Sequence, residues 1–230
     1  MNEAIVSSLE PIGLVGGGAS SDALIELAER IVTGWVAADG GADALLQAGR
    51  HPRAVIGDMD SLSDRARARF AAELHPIPEQ ESTDFDKALR SIRAPLVVGV
   101  GFTGGRVDHE LAAFSTLLKR ADCACILLGA QSLVFHCPPQ LSLTLPKGDL
   151  VSLFPLQPLQ VASTGLVWET EGLTLQPGVR VGTSNEVRED GPVRLAPSGD
   201  GLLVILRSSQ LVEAARALGE SHPQGQGNQA

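Results

Sequence analysis

The spacing of apolar residues changes once along this chain, near Gly129, and that change constrains the fold more than any other feature. Before it, short apolar runs recur at Ile12–Val15, Trp35–Ala38, Ala54–Ile56, Leu96–Val100 and Cys125–Leu128. Between them, Asp22–Arg30, Ala42–Ala48, Asp64–Leu74, Asp84–Arg93 and Val107–Arg120 carry apolar residues three and four apart. Apolar runs alternating with helical periodicity predict strands and helices in turn, hence a parallel sheet with helices on its faces. Two boundaries are marked: Gly49 reads as a helix stop, and Thr83 with Asp86 three residues on reads as a capping arrangement.

After Gly129 helical periodicity gives way to short β-rich runs at Leu133–His136, Leu141–Leu145, Leu150–Phe154, Leu173–Leu175, Val193–Leu195 and Leu202–Leu206. Turn residues separate them, among them Pro138-Pro139, Lys147-Gly148, Pro177-Gly178, Asp190-Gly191 and Gly199-Asp200-Gly201. This predicts a small antiparallel sandwich. The fold class is therefore α/β, an N-terminal parallel-sheet α/β domain over 1–129 followed by an antiparallel β-sandwich domain over 130–207. Residues 208–230 are expected to be a tail, with a short helix around Gln210–Leu218 and a Gly/Gln-rich, disordered stretch from His222.

Composition narrows the function. With 230 residues, 43% hydrophobic and 20% charged, the chain can build a sizeable core, which excludes general disorder. A net charge of −9 argues against a nucleic-acid surface, though a few local donors and a metal ion can still hold an anionic nucleotide. Aromatics at 3% make base stacking on an aromatic platform a poor expectation. Cys123, Cys125 and Cys137 have no framework spacing and read as reduced thiols, which with the absence of a membrane-length apolar run predicts a soluble, cytoplasmic protein.

Polar and glycine-rich clusters fall where the first-domain strands end, which is where open parallel sheets bind ligands. They are Gly16-Gly17-Gly18, Ala38-Asp39-Gly40-Gly41-Ala42, Gly57-Asp58-Met59-Asp60-Ser61 and the run from Gly101 to His109. Asp58 and Asp60, one residue apart in a turn, can converge on a hard cation such as magnesium, although a plain helix-start turn uses the same residues. Asp84 adds a carboxylate and Lys87 a cation at a helix start, where a capping segment with a solvated lysine is the bland alternative. Glycines let backbone amides approach phosphate, and Arg106 beside Gly104-Gly105 offers a bidentate guanidinium. Asp108 and His109 open the next helix, as cap and surface residue or as ligand contacts. No Walker or dinucleotide fingerprint is present. Taken together, a glycine loop, an arginine and a carboxylate cluster describe phosphoryl transfer by positioning and charge neutralisation.

The blocks Ala38–Ala42, Gly57–Ser61, Ser82–Ala88 and Gly104–His109, with Gly165-Leu166-Val167-Trp168 and Gly182–Glu186 after them, resemble in order and spacing the signature segments of thiamine pyrophosphokinases, roughly from Leu14 to Leu206. The resemblance implies a homodimer that moves a diphosphoryl group from ATP to the thiamine hydroxyl, giving thiamine diphosphate and AMP. It implies Mg2+ at Asp58, Asp60 and Asp84, with Asp39 supporting that site or approaching the hydroxyl. Gly40, Gly41, Lys87, Gly104, Gly105, Arg106, Asp108 and His109 would meet the nucleotide in residues 1–129. Trp168, Thr183, Ser184 and Asn185 would border thiamine in residues 130–207, although Trp168 would equally suit a sandwich core and Ser184-Asn185 a turn. The chain departs from the family where an aspartate often precedes the Thr-Asp pair; here it has Gln80-Glu81-Ser82. The alternatives are a diphosphokinase acting on another hydroxymethyl heterocycle such as a pterin, and a regulator that binds nucleotide or thiamine without turnover.

Overall fold

A computed structural model describes residues 4–221. Its first half contains strands β1 (Val6–Ser7), β2 (Ile12–Val15), β3 (Trp35–Ala38), β4 (Pro52–Gly57), β5 (Leu74–Pro76), β6 (Ile92–Arg93), β7 (Val97–Val100) and β8 (Cys125–Leu128). Helices α1 (Asp22–Ala28), α2 (Gly41–Gln47), α3 (Asp64–Arg69), α4 (Asp84–Arg90) and α5 (Val107–Lys119) lie between them. The second half contains β9 (Ser132–His136), β10 (Leu141–Leu145), β11 (Leu150–Pro155), β12 (Leu159–Thr164), β13 (Thr174–Leu175), β14 (Gly182–Glu186), β15 (Gly191–Pro197) and β16 (Leu202–Arg207), then helix α6 (Leu211–Ser221).

The main sheet has ten strands in the order β14-β11-β16-β9-β8-β7-β2-β3-β4-β5. From β8 to β5 every pair is parallel. From β8 to β14 every pair is antiparallel. The periodicity change at Gly129 is therefore a reversal of strand direction inside one sheet, made by a tight turn in which Gly129 N–H donates to the Ser132 carbonyl at 2.9 Å. A smaller antiparallel sheet, β10-β15-β12-β13, supplies the second layer of the sandwich.

Burial follows this arrangement. Strands β2, β3, β7 and β8 are buried at every position, as strands covered by helices on both faces must be. Strands β10 and β12 alternate buried and exposed residues, because only one face meets the sandwich core. The helix signals read from sequence hold locally. Thr83 Oγ1 accepts from Asp86 N–H at 3.3 Å, and Gly49 (φ 69°) lets the Gly49 and Arg50 N–H groups close α2 on Leu46 and Leu45.

Several elements differ from expectation. The expected helix Asp64–Leu74 ends at Arg69, because Phe70 is buried at the turn and Leu74 pairs with Val55 as β5 begins. Helix α4 stops at Arg90 and leaves Ile92–Arg93 to pair with Val6–Ser7. Strands β12 and β14 gave no apolar signal: β12 buries Ser163 among its inward residues, and β14 is the exposed Gly-Thr-Ser-Asn-Glu segment on the sheet edge. Helix α6 belongs to the sandwich, since Arg216 Nη2 donates to the Ser142 carbonyl on β10 at 3.2 Å and Leu211, Ala214 and Leu218 are buried. The stretch from His222 lies outside the described residues.

Candidate active site

Strand β2 has β3 on one side and β7 on the other, so the chain departs in opposite directions from this point of the sheet. A crevice necessarily opens there, beyond the carboxyl ends of the strands. The structure has a cleft of about 880 Å³ at this place, lined by the glycines after β2, by Asp39 after β3, by Asp58 after β4 and by Gly101-Phe102-Thr103 after β7. The two loops that flank the switch are tied together, with Gly16 N–H donating to Val100 O at 2.8 Å and Gly18 N–H to Gly101 O at 3.1 Å. Gly101 has φ 81°, and a Cβ on it would come within 2.6 Å of Gly16 O, so only glycine allows this approach.

Asp39, Asp58 and Asp84 line one wall of the cleft, and Asp60, exposed, stands beside them without lining it. Asp39 is 3% exposed and sits at φ 41°, its own N–H donating to Ile56 O at 2.9 Å. Its Oδ2 accepts from Ser61 N–H at 3.1 Å, while Oδ1 is buried without a hydrogen-bond partner among the described residues. Met59, at φ 68°, turns the chain sharply between Asp58 and Asp60. Asp58 Oδ2 accepts from Gln80 Nε2 at 3.0 Å and from Lys87 Nζ at 3.4 Å. Lys87, 1% exposed, also donates to Asp84 Oδ1 at 3.1 Å. Asp39, Asp58 and Asp60 each bring one oxygen within 4.8 Å of the others.

These surroundings fix the charges. Burial pushes the Asp39 carboxyl up, the hydrogen bonds from Ser61 work against it, and the Asp84 and Asp58 charges push it further up. Burial also works against the charge on Asp58, but Gln80, the Asp60 N–H and Lys87 outweigh it and hold the group below its ordinary range. For Lys87, burial is overcome by the hydrogen bonds and charges of Asp84 and Asp58, so the ammonium is held protonated. Asp58 and Asp84 thus hold a single buried ammonium between them, and one oxygen of Asp39 lacks a donor. That donor set fits a hard divalent cation. The oxygens that approach one another are those of Asp39, Asp58 and Asp60, while Asp84, which the resemblance implies as a further ligand, lines the same cleft and pairs with Lys87.

Of the residues expected to meet a nucleotide, Gly40, Lys87, Gly105, Arg106 and His109 line the cleft. Gly41 stands behind the wall, packed on the Val15 carbonyl. Gly104 N–H is taken by Glu110 Oε2 at 3.1 Å, and Asp108 pairs on the surface with Arg106 at 2.6 Å. Neither Gly104 nor Asp108 lines the cleft. Sequence reasoning missed Ser63 and Gln80 as wall residues, and it gave no individual role to Ser61 and Phe102, which lie within the strand-end clusters. Phe102 packs on Phe85 with ring centroids 4.5 Å apart. Glu79 organises the departing segment: Oε2 accepts from Glu81 N–H at 2.7 Å and from Ser82 N–H at 3.1 Å, and Oε1 accepts from Arg90 at 2.9 Å. Glu81 itself is exposed and off the cleft, and it is Gln80 that reaches Asp58.

Trp168, Thr183, Ser184 and Asn185 do not line this cleft. They form a separate feature of the second half. Asn185, 6% exposed, accepts from Trp168 N–H at 3.2 Å and returns an Nδ2 hydrogen bond to Trp168 O at 2.6 Å. That reciprocal pair holds the Trp168 backbone while the indole side stands 59% exposed, so Trp168 is not sandwich core. Ser184, at φ 60°, donates its N–H to Ser152 Oγ at 2.9 Å, and Thr183 is exposed.

Comparison with known proteins agrees across both halves. The family model for the thiamin pyrophosphokinase catalytic domain matches residues 29–127, and that for the thiamin pyrophosphokinase vitamin B1 binding domain matches residues 134–196. Thiamin pyrophosphokinase 1 of Caenorhabditis elegans is 28% identical over 173 residues, 66% of this chain and 70% of that protein. Thiamine pyrophosphokinase of Bacillus subtilis (strain 168) is 37% identical over 92 residues, 37% of this chain and 43% of its own length. The structure of thiamin pyrophosphokinase from Geobacillus thermodenitrificans superposes with a TM-score of 0.69 at 26% identity, covering 86% of this chain and 96% of that one. Yeast thiamin pyrophosphokinase shares the fold, with a TM-score of 0.73 at 15% identity over 91% of this chain and 94% of that one.

Proposed function

The chain belongs to the thiamin pyrophosphokinase family, and from that premise we propose that it transfers a diphosphoryl group from ATP to the thiamine hydroxyl, releasing AMP. The observation that carries the metal-dependent chemistry is buried Asp39, which has an unpartnered Oδ1 and a carboxylate oxygen within 4.8 Å of Asp58 and Asp60, on the wall of a glycine-lined cleft. Asp39, Asp58 and Asp60 would hold Mg2+, with Asp84 completing the acidic wall. Bound there, the ion supplies neutralisation of phosphate charge.

The chain's own residues do the rest. Gly17 and Gly40 line the cleft, where glycines would let backbone amides approach phosphate oxygens. Lys87, held charged between Asp58 and Asp84, adds a fixed cation on the same wall. Arg106 and His109 border the nucleotide at the start of α5. Trp168, held by Asn185, presents an aromatic surface for the thiamine rings. In this reading residues 1–129 carry nucleotide and metal, residues 130–207 carry thiamine, and a homodimer brings the two surfaces together. The match to the vitamin B1 binding domain favours thiamine over a pterin as acceptor.

Among the described residues no helix is long and apolar enough to cross a membrane. The cysteines Cys123, Cys125 and Cys137 are all unpaired, which supports a reducing, cytoplasmic setting. The deciding experiment incubates the pure protein with ATP, Mg2+ and thiamine and identifies the products. AMP with thiamine diphosphate is the expected outcome; ADP with thiamine monophosphate would refute diphosphoryl transfer.

A further inference from the structure

Asp86 stands in the first turn of α4, between Asp84 and Lys87, yet it does not line the cleft. Only 2% of it is exposed. Its Oδ2 accepts from Lys119 Nζ at 2.7 Å and its Oδ1 from Arg120 Nε at 2.6 Å. Both cations sit at the C-terminal end of α5, whose other end brings Arg106 and His109 to the cleft. A buried carboxylate is costly to desolvate unless its oxygens are paired, and here each oxygen has its own cation from the neighbouring helix.

Apolar packing alone resists separation of two helices more than it resists rotation of one about its axis. Two charge-assisted hydrogen bonds to adjacent residues fix direction as well as distance. Rotation matters for α4 because Asp84 and Lys87 project from it into the cleft, where Lys87 reaches Asp58. A turn of about 10° moves an atom roughly 5 Å from the helix axis by about 1 Å. A misplacement of about 1 Å is worth on the order of 10²-fold in rate.

We propose that Asp86, clamped by Lys119 and Arg120, is a positioning residue that sets the rotation of α4 and so keeps Asp84 and Lys87 in register with the carboxylates ending β3 and β4. The proposal rests on the functional reading above for the roles of Asp84 and Lys87. Two variants test it: Asp86→Asn, which keeps the shape and removes the charge, and Arg120→Met, which leaves Asp86 and its Lys119 partner in place. Each is assayed well below its own melting temperature for kcat, for the thiamine KM, and for Mn2+ binding to the nucleotide-free protein by electron paramagnetic resonance.

The expected result is a kcat lowered about 10- to 100-fold in Asp86→Asn and less in Arg120→Met. The Mn2+ dissociation constant rises severalfold while the thiamine KM is little changed. A pair with a merely structural role would lower the melting temperature and move neither kcat nor Mn2+ affinity. If either of those stays within twofold of the parent in folded Asp86→Asn, the proposal falls; should that variant not fold, Arg120→Met decides by the same criterion. The parent is assayed in parallel. Absence of AMP and thiamine diphosphate there sinks the functional reading, while the Mn2+ constants still decide the role of Asp86.

Discussion

Two non-glycine residues in the left-handed region, Asp39 at φ 41° and Met59 at φ 68°, sit at the ends of adjacent strands β3 and β4. Such conformations cost roughly 1–2 kcal/mol each, and they place the Asp39, Asp58 and Asp60 oxygens within reach of one another. Asp60→Asn keeps the turn and removes one charge, so turnover at saturating Mg2+ should fall by at least ~10²-fold; near-normal turnover would sink the metal assignment. Gly57 guards the same wall, since a Cβ there would come 2.8 Å from Asp39 Cβ and 3.1 Å from Asp84 Oδ1. Gly57→Ala should fold, because the contact is local, but should bind Mn2+ at least several times more weakly. Unchanged Mn2+ affinity would show that the wall tolerates displacement. The acidic pair was legible in the sequence because one-residue spacing is a local pattern. The wall positions of Gln80 and Ser61 were not, because their partners Asp58 and Asp39 are 22 residues away in each case.

Helices α4 and α5 are joined by a buried carboxylate held by one partly exposed and one exposed cation, and the stability of that contact has a pH window. Burial alone raises the Asp86 carboxyl, but the hydrogen bonds and charges of Arg120 and Lys119 outweigh it and hold the group lowered. A lowered folded value means that the cluster stabilises fully above the ordinary carboxylate range near 4 and is lost as pH falls through the folded value. Acid unfolding followed by circular dichroism should therefore show a shallower loss of stability below pH ~4 in Asp86→Asn than in the parent. Equal slopes would remove Asp86 from the linkage. The Trp168 segment makes the opposite case, an element organised for its surface. Trp168→Ala should change stability by no more than about 0.5 kcal/mol, since the side chain is exposed. It should raise the thiamine KM more than the ATP KM. If only the ATP constant moves, the segment does not serve the acceptor.

The carboxylate cleft and the Trp168–Asn185 segment belong to different ends of one ten-stranded sheet, and the residues of the second do not line the first. A shared site across a two-fold dimer would bring them together, and so would a contact within one chain. Mixing Asp60→Asn protein with Trp168→Ala protein, assayed at thiamine far below the raised KM of the second so that neither alone is active, separates these cases. With shared sites, exchange of subunits creates one site carrying both defects and one carrying neither, so activity partly returns. No recovery, in samples where heterodimers are demonstrated by mass spectrometry, would rule out the shared site.

What the sequence alone determined is what local spacing encodes. Period-four helices, buried apolar strands, the caps at Thr83 and Gly49, and the glycine and aspartate clusters at strand ends all depend on residues a few positions apart. The antiparallel half was legible where apolar and polar residues alternate, as in β10, and illegible where the edge strand β14 is polar throughout. Tertiary structure alone decided that the two halves share one sheet, because strand order and direction depend on pairings distant in sequence. It also decided that Asp39 comes close to Asp58 and Asp60, that Asn185 holds a backbone, and that Asp86 is buried against α5. Each of those outcomes depends on residues distant in sequence, and only the folded chain brings them within reach.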